Sequence, residues 1–223
     1  MDTFIDNFGV IYSEDRKTLL KGNAELTDYI VPEGTESIGD DAWDRMENLR
    51  QITLPEGLIT IGRQAFAGCI RLTEAKIPKT VRHIGEYAFE MTGLKEAVIP
   101  KGVGRLETGV FSWCFNMSAI GLSDTIESLG PYSLNTPEPI LIIQVAHSCP
   151  LKHIDATAIT KGSAFLVPYE VHHEYVKAFP EFDGMFVYGI KQAKEPEAMH
   201  AHNNNKNRIN HEKENHQSPE PWI

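Results

Sequence analysis

Apolar positions recur along this chain at a fixed interval of 22 or 23 residues. The segment that begins at Ile52 has the sequence ITLPEGLITIGRQAFAGCIRLTE, and the next, AKIPKTVRHIGEYAFEMTGLKE, begins at Ala75. In both, a proline follows a short alternating stretch, an Ile-Gly pair comes next, and a small residue precedes an aromatic one. A period of this length indicates a solenoid in which each turn is one repeat.

The same pattern extends on both sides of these two segments. At steps of 23, 23, 22 and 23 residues, the position after the first strand holds Pro32, Pro55, Pro78, Pro100 and Ser123. The small-plus-aromatic position holds Ala42-Trp43, Ala65-Phe66, Ala88-Phe89, Val110-Phe111 and Ser133-Leu134. The fifth copy departs most from the pattern, as terminal repeats do.

Each repeat predicts two short strands around a shared interior. Residues 72–77 alternate between apolar and polar side chains, which predicts a strand with one buried face that ends at the following proline. Val81 and Ile84 predict a second extended segment that faces the same interior. We expect Gly85 in a tight turn with positive φ. Stacked copies of Ala88-Phe89 then form a buried ladder that no single repeat could bury alone.

Both ends of the repeat array are predicted to be capped. Residues 10–12 and 18–20 are apolar stretches around a polar turn, and they predict a β-hairpin over the open edge of the first repeat. After the repeats, residues 140–145 and 164–168 predict two more buried strands. Residues 169–179 have the apolar spacing of a short amphipathic helix.

The composition changes at the C-terminal end of the sequence. Residues 191–223 contain five Lys/Arg, five Asp/Glu and few apolar groups, so we predict that this tail is disordered. The predicted organisation is therefore an N-terminal hairpin cap at residues 1–28, five repeats at 29–139, a degenerate repeat with a C-terminal cap at 140–190, and the tail at 191–223.

The repeat resembles that of a known family. Its pattern, L-x-x-(I/A)-x-I-P-x-x-V-x-x-I-G-x-x-A-F-x-x-C, is similar to the BspA-type leucine-rich repeat over residues 10–190. Proline follows the strand here, where the common leucine-rich repeat has Asn or Cys. The resemblance implies a mainly β, right-handed solenoid with two short parallel strands per repeat, and a binding or adhesion role at bacterial or protozoan surfaces. The segment after the repeats resembles the Bacteroidetes-type end of this family.

Charge and hydropathy restrict the classes of partner. The net charge of −10 and the isoelectric point of about 5.4 argue against nucleic acid and anionic membranes. The sequence has no run of 18 apolar residues, so we predict no membrane span. Its first residues include Asp2 and Asp6 and lack an apolar stretch, unlike a secretory signal. This favours the cytoplasm unless a leader has been removed, whereas the family resemblance favours the cell surface or secretion.

Candidate chemistry is sparse. We expect Cys69 and Cys114, at the same repeat position, to be small buried side chains too far apart for a disulfide, and Cys149 to be similar. Histidines at positions 200, 202, 211 and 216 could bind a metal adventitiously, but a solvated polar tail is the simpler interpretation. The sequence contains no G-x-S-x-G, Walker A or G-x-G-x-x-G motif. We therefore predict no catalytic residue, no cofactor and no metal site.

The remaining candidate is the outward face of the first strands. The positions that we predict to bind a partner are Gln51, Thr53, Glu74, Lys76, Glu96 and Val98. We expect a monomer that binds a protein, which by family resemblance could be a host or extracellular-matrix protein. Two alternatives stay open at this point: a structural spacer whose disordered tail makes the contacts, and an enzyme.

Overall fold

The computed structural model describes residues 2–145 and 151–188, which form a mainly β parallel solenoid of about seven turns with one short C-terminal α-helix. An N-terminal group consists of β1 (Thr3–Ile5), β2 (Ile11–Ser13) and β3 (Thr18–Lys21). The first strands of successive turns are β4 (Asp28–Ile30), β6 (Gln51–Thr53), β8 (Glu74–Ala75), β10 (Glu96–Val98), β12 (Ala119–Leu122), β14 (Ile142–Val145), β16 (Phe165–Val167) and β17 (Phe186–Tyr188). The second strands are β5 (Ser37–Ile38), β7 (Thr60–Ile61), β9 (His83–Ile84), β11 (Arg105–Leu106), β13 (Ser128–Leu129) and β15 (His153–Ile154).

The strands of the turns pair in parallel with the equivalent strands of neighbouring turns. The first strands form two sheets, β4-β6-β8 and β10-β12-β14-β16-β17. The second strands form β5-β7-β9, which continues from the N-terminal group, and β11-β13-β15. The predicted architecture is confirmed, but the strands are shorter than predicted. The strand that we expected at residues 72–77 covers only Glu74–Ala75.

The interior is filled by the ladder of aromatic residues that the repeat predicted. Phe66, Phe89 and Phe111 are fully buried. The ring centroids of Phe66 and Phe89 lie 5.3 Å apart with an interplanar angle of 11°, and those of Phe89 and Phe111 lie 5.4 Å apart at 5°. Offset stacking at this distance adds to the free energy gained by burying each ring. The equivalent side chain of the first repeat, Trp43, is also fully buried.

The glycine of the Ile-Gly pair is needed for a different reason than predicted. Gly85 does not adopt positive φ, so the expectation of a left-handed turn there is wrong. A Cβ at Gly85 would lie 2.6 Å from the backbone N of Arg63 and 2.7 Å from the carbonyl C of Gly62. Gly62 is packed equally closely against the preceding turn, because a Cβ at Gly62 would lie 2.7 Å from the backbone N of Asp40. Close approach between successive backbones therefore selects glycine at this position.

Both strand ladders are interrupted between the third and fourth repeats. Within the described residues, β8 does not pair with β10 and β9 does not pair with β11. The repeat is one residue shorter here, since Leu94 follows Phe89 by five residues whereas Leu72 follows Phe66 by six. Glu107 also occupies the position that glycine holds in the three preceding repeats.

The turn side of the solenoid continues across this interruption. The backbone N of Phe89 donates to the carbonyl O of Val110 at 2.9 Å, and that of Tyr87 donates to Thr108 O at 2.9 Å. The ring stack of Phe89 on Phe111 also crosses it. Within the described residues, the two halves are therefore joined through the core and the turns, and not by strand pairing.

The N-terminal group contains the predicted hairpin and one further strand. Strands β2 and β3 pair antiparallel, β1 adds antiparallel to β2, and β3 continues in parallel into β5. A buried polar cluster connects this group to the first repeat. The hydroxyl oxygens of Tyr12 and Tyr29 lie 2.7 Å apart, and the Tyr29 hydroxyl donates to the carboxylate of Asp6.

The C-terminal end follows the predicted order of strand, helix and aromatic residues. After β16, a 3-10 turn at Tyr169–Val171 leads directly into α1 (His172–Ala178), so the predicted helix begins with a tighter turn. Tyr175 of α1 is fully buried, and its ring centroid lies 5.4 Å from that of Phe186. A second 3-10 turn, Pro180–Phe182, precedes β17. The tail at residues 191–223 lies outside the described residues.

Candidate functional site

The structure places all six predicted partner-binding side chains on the solvent-exposed side of the first strands. Gln51 and Thr53 lie on β6, Glu74 lies on β8, and Lys76 directly follows β8. The other two, Glu96 and Val98, lie on β10. Alternation within each strand explains this placement, because the residues between them, such as Ile52, point into the core. Whether this face binds a partner stays a prediction.

An open depression lies over β6 and β8 at one end of this face. Its volume is about 400 Å³, and Gln51, Thr53, Glu74 and Lys76 line it. The other residues that line it are Glu33, Ile52, Leu54, Glu56 and Pro78. Four of the six predicted residues therefore share one concave surface with apolar side chains and three carboxylates.

The two remaining predicted residues belong to a different sheet. Because β8 and β10 are not paired, Glu96 and Val98 are not on the ladder that carries Thr53. The six predicted residues therefore do not lie on one continuous strand ladder. Beyond the interruption the face carries an exposed apolar side chain. The side chain of Val98 is 70% exposed. Gly121 lies beside it on β12, where a Cβ would be 3.6 Å from the Cγ2 atom of Val98, an ordinary contact distance.

Two acidic residues of the depression were not predicted. Glu33 and Glu56 each follow the proline that ends a first strand, and both are exposed. The repeat contains a signal that could have identified them, since equivalent positions after Pro32 and Pro55 must lie side by side on adjacent turns. They were missed because we assigned outward positions only within the strands.

Exposed apolar side chains on the turn side were also missed. Trp113 and Phe115 are each 52% exposed, and their ring centroids lie 6.3 Å apart. Met91 and Ile70 are exposed on neighbouring turns. Met91 and Trp113 share a left-handed backbone conformation, with φ of 52° and 59°. A left-handed residue interrupts the alternation that predicts whether a side chain is inside or outside.

The cysteines have the buried positions that the repeat predicts. Cys69 Sγ donates to Trp43 O at 3.0 Å, and Cys114 Sγ donates to Phe89 O at 3.1 Å. Both thiols are free. Burial raises the pKa of Cys69 to about 12 and that of Cys114 to about 11. Each thiol therefore stays protonated near neutral pH, which is unfavourable for a nucleophile. Cys149 lies outside the described residues.

The histidines do not form a metal site within residues 2–145 and 151–188, where no group of three or more His, Cys, Asp or Glu side chains could hold a metal ion. On α1, the His172 Nε2 atom lies 3.1 Å from Phe186 O, whereas His173 is exposed. The four tail histidines lie outside the described residues. In the same part of the chain, no helix has both the length and the apolar composition needed to cross a membrane.

The repeats match a known family, and solved bacterial structures share the fold. The family model for the BspA type leucine rich repeat region matches residues 17–138 in six copies. The crystal structure of the pneumococcal vaccine antigen PcpA is similar with a TM-score of 0.69 and 21% identity, over 86% of this chain and 48% of that one. A leucine-rich repeat protein from Eubacterium ventriosum is similar with a TM-score of 0.55 and 26% identity, over 65% of this chain and 42% of that one.

These matches have limits in length and identity. The chain spans about half or less of each of the two solved structures. No curated protein sequence matches it. At 21% identity, the similarity to PcpA shows the fold alone.

Proposed function

Because this chain belongs to the BspA-type leucine-rich-repeat family, whose members are generally non-catalytic protein-interaction or adhesion modules, we propose that it binds a protein partner on the outward face of β6, β8 and β10. The observation that carries this proposal is the depression over β6 and β8, which contains four of the six predicted side chains. A parallel solenoid presents the depression without a conformational change, since β6 and β8 pair with each other and pack on the core.

The shape of the face favours a protein or peptide over a small molecule. Small-molecule pockets are concave and bury most of their ligand among apolar side chains. The depression is open, and six of the nine residues that line it are polar or charged, including Gln51, Thr53 and Glu74. None of the six predicted residues is aromatic or Arg, the types that dominate binding energy, so we expect affinity of about 1 µM or weaker.

The experiment that tests this proposal uses a steric block whose effect does not depend on the charge of the partner. Thr53→Trp fills the depression, and tryptophan is tolerated in an exposed strand position. The matched control is His83→Trp, an exposed position on β9 of the other strand face. A second pair compares Val98→Ser with Ile59→Ser, which removes an exposed apolar side chain elsewhere.

Immobilised wild type, the variants and a truncation after Ile190 would be compared for the proteins they retain. The prey mixtures would be a lysate of the producing organism and, separately, an extracellular-matrix preparation. We expect a specific partner to bind at least about tenfold more weakly to Thr53→Trp, equivalent to about 1.4 kcal/mol, and several-fold more weakly to Val98→Ser. Both controls and the truncation should bind like wild type.

Two outcomes would contradict the proposal. Equal loss in Thr53→Trp and His83→Trp would remove this face as the site. Loss only on truncation would favour the alternative, a structural spacer whose tail makes the contacts.

A further inference from the structure

The charges around the depression are unbalanced and unpaired. Glu33, Glu56 and Glu74 line it, and Lys76 is the single cationic side chain in its lining. Ion pairs join other charged side chains of the chain, including Lys17 with Glu36 and Lys101 with Asp124. Within the described residues, none of the four charged groups of the depression has an ion-pair partner.

The acidic residues are spread along the solenoid axis. Strand register places Asp28 beside Gln51, and Gln51 beside Glu74. Equivalent positions on adjacent turns lie about 4.8 Å apart, so Asp28 and Glu74 are separated by roughly 10 Å at strand spacing. No group of three acidic side chains in the described residues is arranged to hold a metal ion. An elongated row of separate carboxylates fits several cationic groups better than one ion.

The positions after the strands change sign along the chain. Glu33 and Glu56 occupy this position in the first two repeats, and Lys79 and Lys101 occupy it in the next two. The carboxylates that follow the strand-ending prolines are therefore confined to the first two repeats. Beyond β8, lysines occupy this position and Glu96 is the one predicted carboxylate on β10, so the densest group of carboxylates on this face lies at the depression.

We propose that the depression over β6 and β8 receives Arg or Lys side chains from an extended, basic segment of the partner. This inference rests on the proposed function, because it names the chemistry of the segment that occupies the same face. The apolar Leu54 and Pro78 offer contact for the aliphatic part of a long cationic side chain, while its charged end reaches the carboxylates on the rim. The chain's net charge of −10 would steer such a segment towards it.

The probe is a labelled dodecapeptide of alternating Arg and Ser, compared with Gln-Ser and Glu-Ser peptides of equal length. Fluorescence anisotropy would measure binding to the full chain at low salt. We expect the Arg-Ser peptide to bind, the Gln-Ser peptide to bind at least about tenfold more weakly, and the Glu-Ser peptide not to bind. Raising the salt concentration should weaken the Arg-Ser complex, because salt screens exposed charges.

Two matched triple variants separate local recognition from overall charge. The first neutralises the depression with Glu33→Gln, Glu56→Gln and Glu74→Gln. The second makes the same chemical change at three other exposed positions, with Glu86→Gln, Glu170→Gln and Glu181→Gln. Each triple variant removes three negative charges and so changes the net charge from −10 to −7. We expect about tenfold weaker binding in the first triple and less than about twofold in the second.

A single variant gives an effect of opposite sign. Lys76→Gln removes the cationic side chain of the depression and should strengthen binding of the Arg-Ser peptide about two- to threefold. Circular dichroism would check that every variant retains its fold. Equal weakening in both triples, weaker binding in Lys76→Gln, or no binding of the Arg-Ser peptide to wild type would each overturn the inference.

The outcomes also separate this inference from the function on which it rests. If a protein partner is lost in Thr53→Trp but the Arg-Ser peptide does not bind, the face is the binding site and the basic chemistry is wrong. If the Arg-Ser peptide binds in the depression and no protein depends on Thr53, the cationic site is correct and the protein-binding proposal falls.

Discussion

Removing the central ring of the aromatic stack tests the physical basis of the solenoid. Phe89 is fully buried, and its ring stacks on Phe66 on one side and Phe111 on the other. We expect Phe89→Ala to lower the free energy of unfolding by about 3–5 kcal/mol, the range for a buried phenylalanine replaced by alanine. Each stacked pair adds about 0.5–1.5 kcal/mol beyond burial.

The position of each ring in the stack predicts an order among the variants. Phe89→Ala removes two stacked pairs, one with Phe66 and one with Phe111. Phe66→Ala removes only the pair with Phe89, because the neighbour of Phe66 on the other side of the ladder is Trp43. We therefore expect Phe89→Ala to cost about 0.5–1.5 kcal/mol more than Phe66→Ala. Because a natural domain is stable by only about 5–15 kcal/mol, both losses should be large shifts in a urea melt.

The control is Gln64→Ala, two residues before Phe66 in the same turn. Gln64 is half-buried and has a φ of 51°, and alanine would keep the same left-handed strain. Its replacement should cost less than about 0.5 kcal/mol. Urea unfolding followed by circular dichroism would measure all three variants. Equal losses in Phe89→Ala and Gln64→Ala would refute the buried ladder, and equal losses in Phe89→Ala and Phe66→Ala would refute the contribution of stacking.

Two further predictions concern backbone packing and buried thiols. Gly85→Ala should cost about 1–3 kcal/mol in a urea melt, because its Cβ would lie 2.6 Å from the backbone N of Arg63, whereas Gly57→Ala, with open space around it, should be nearly neutral. Equal effects at the two glycines would contradict the close-approach argument. Iodoacetamide at pH 8 should modify Cys69 and Cys114 only after unfolding, since burial raises their pKa from 9.0 to about 12 and about 11. Rapid labelling of the native chain would contradict this burial. Because both pKa values are raised on folding, the free energy of unfolding should fall as the pH rises from 9.0 towards about 11 and about 12, and urea melts that show no fall over this range would contradict the shifts.

The repeat pattern alone was sufficient to predict the solenoid and the direction of most side chains. In a strand, alternation determines which side chains face the core, so the sequence by itself assigns Ile52 inward and Thr53 outward. Recurrence at a fixed period then requires equivalent side chains to stack, which is why Phe66, Phe89 and Phe111 were predicted as one ladder and form one. The division of the chain into caps, repeats and tail stays a prediction.

The candidate site was predicted only in part. Gln51, Thr53, Glu74 and Lys76 were identified from alternation, and they line the depression. Its other two carboxylates follow the strand-ending prolines, where alternation no longer applies. The shape of the depression depends on the spacing between adjacent turns and on the height of the loops around it. No local sequence pattern specifies the spacing or the height.

The interruption between the third and fourth repeats was decided by tertiary structure. The sequence shows that one residue is missing after Phe89 and that Glu107 replaces a glycine. It does not show how the backbone absorbs these two changes. In the structure, the backbone hydrogen bonds of the turn side and the stacked rings continue from the third repeat to the fourth, whereas the pairing of both sets of strands stops between them. Inward or outward direction is set by each residue's own neighbours in the chain, whereas strand pairing depends on the distance between two backbones, which the packing of the whole turn determines.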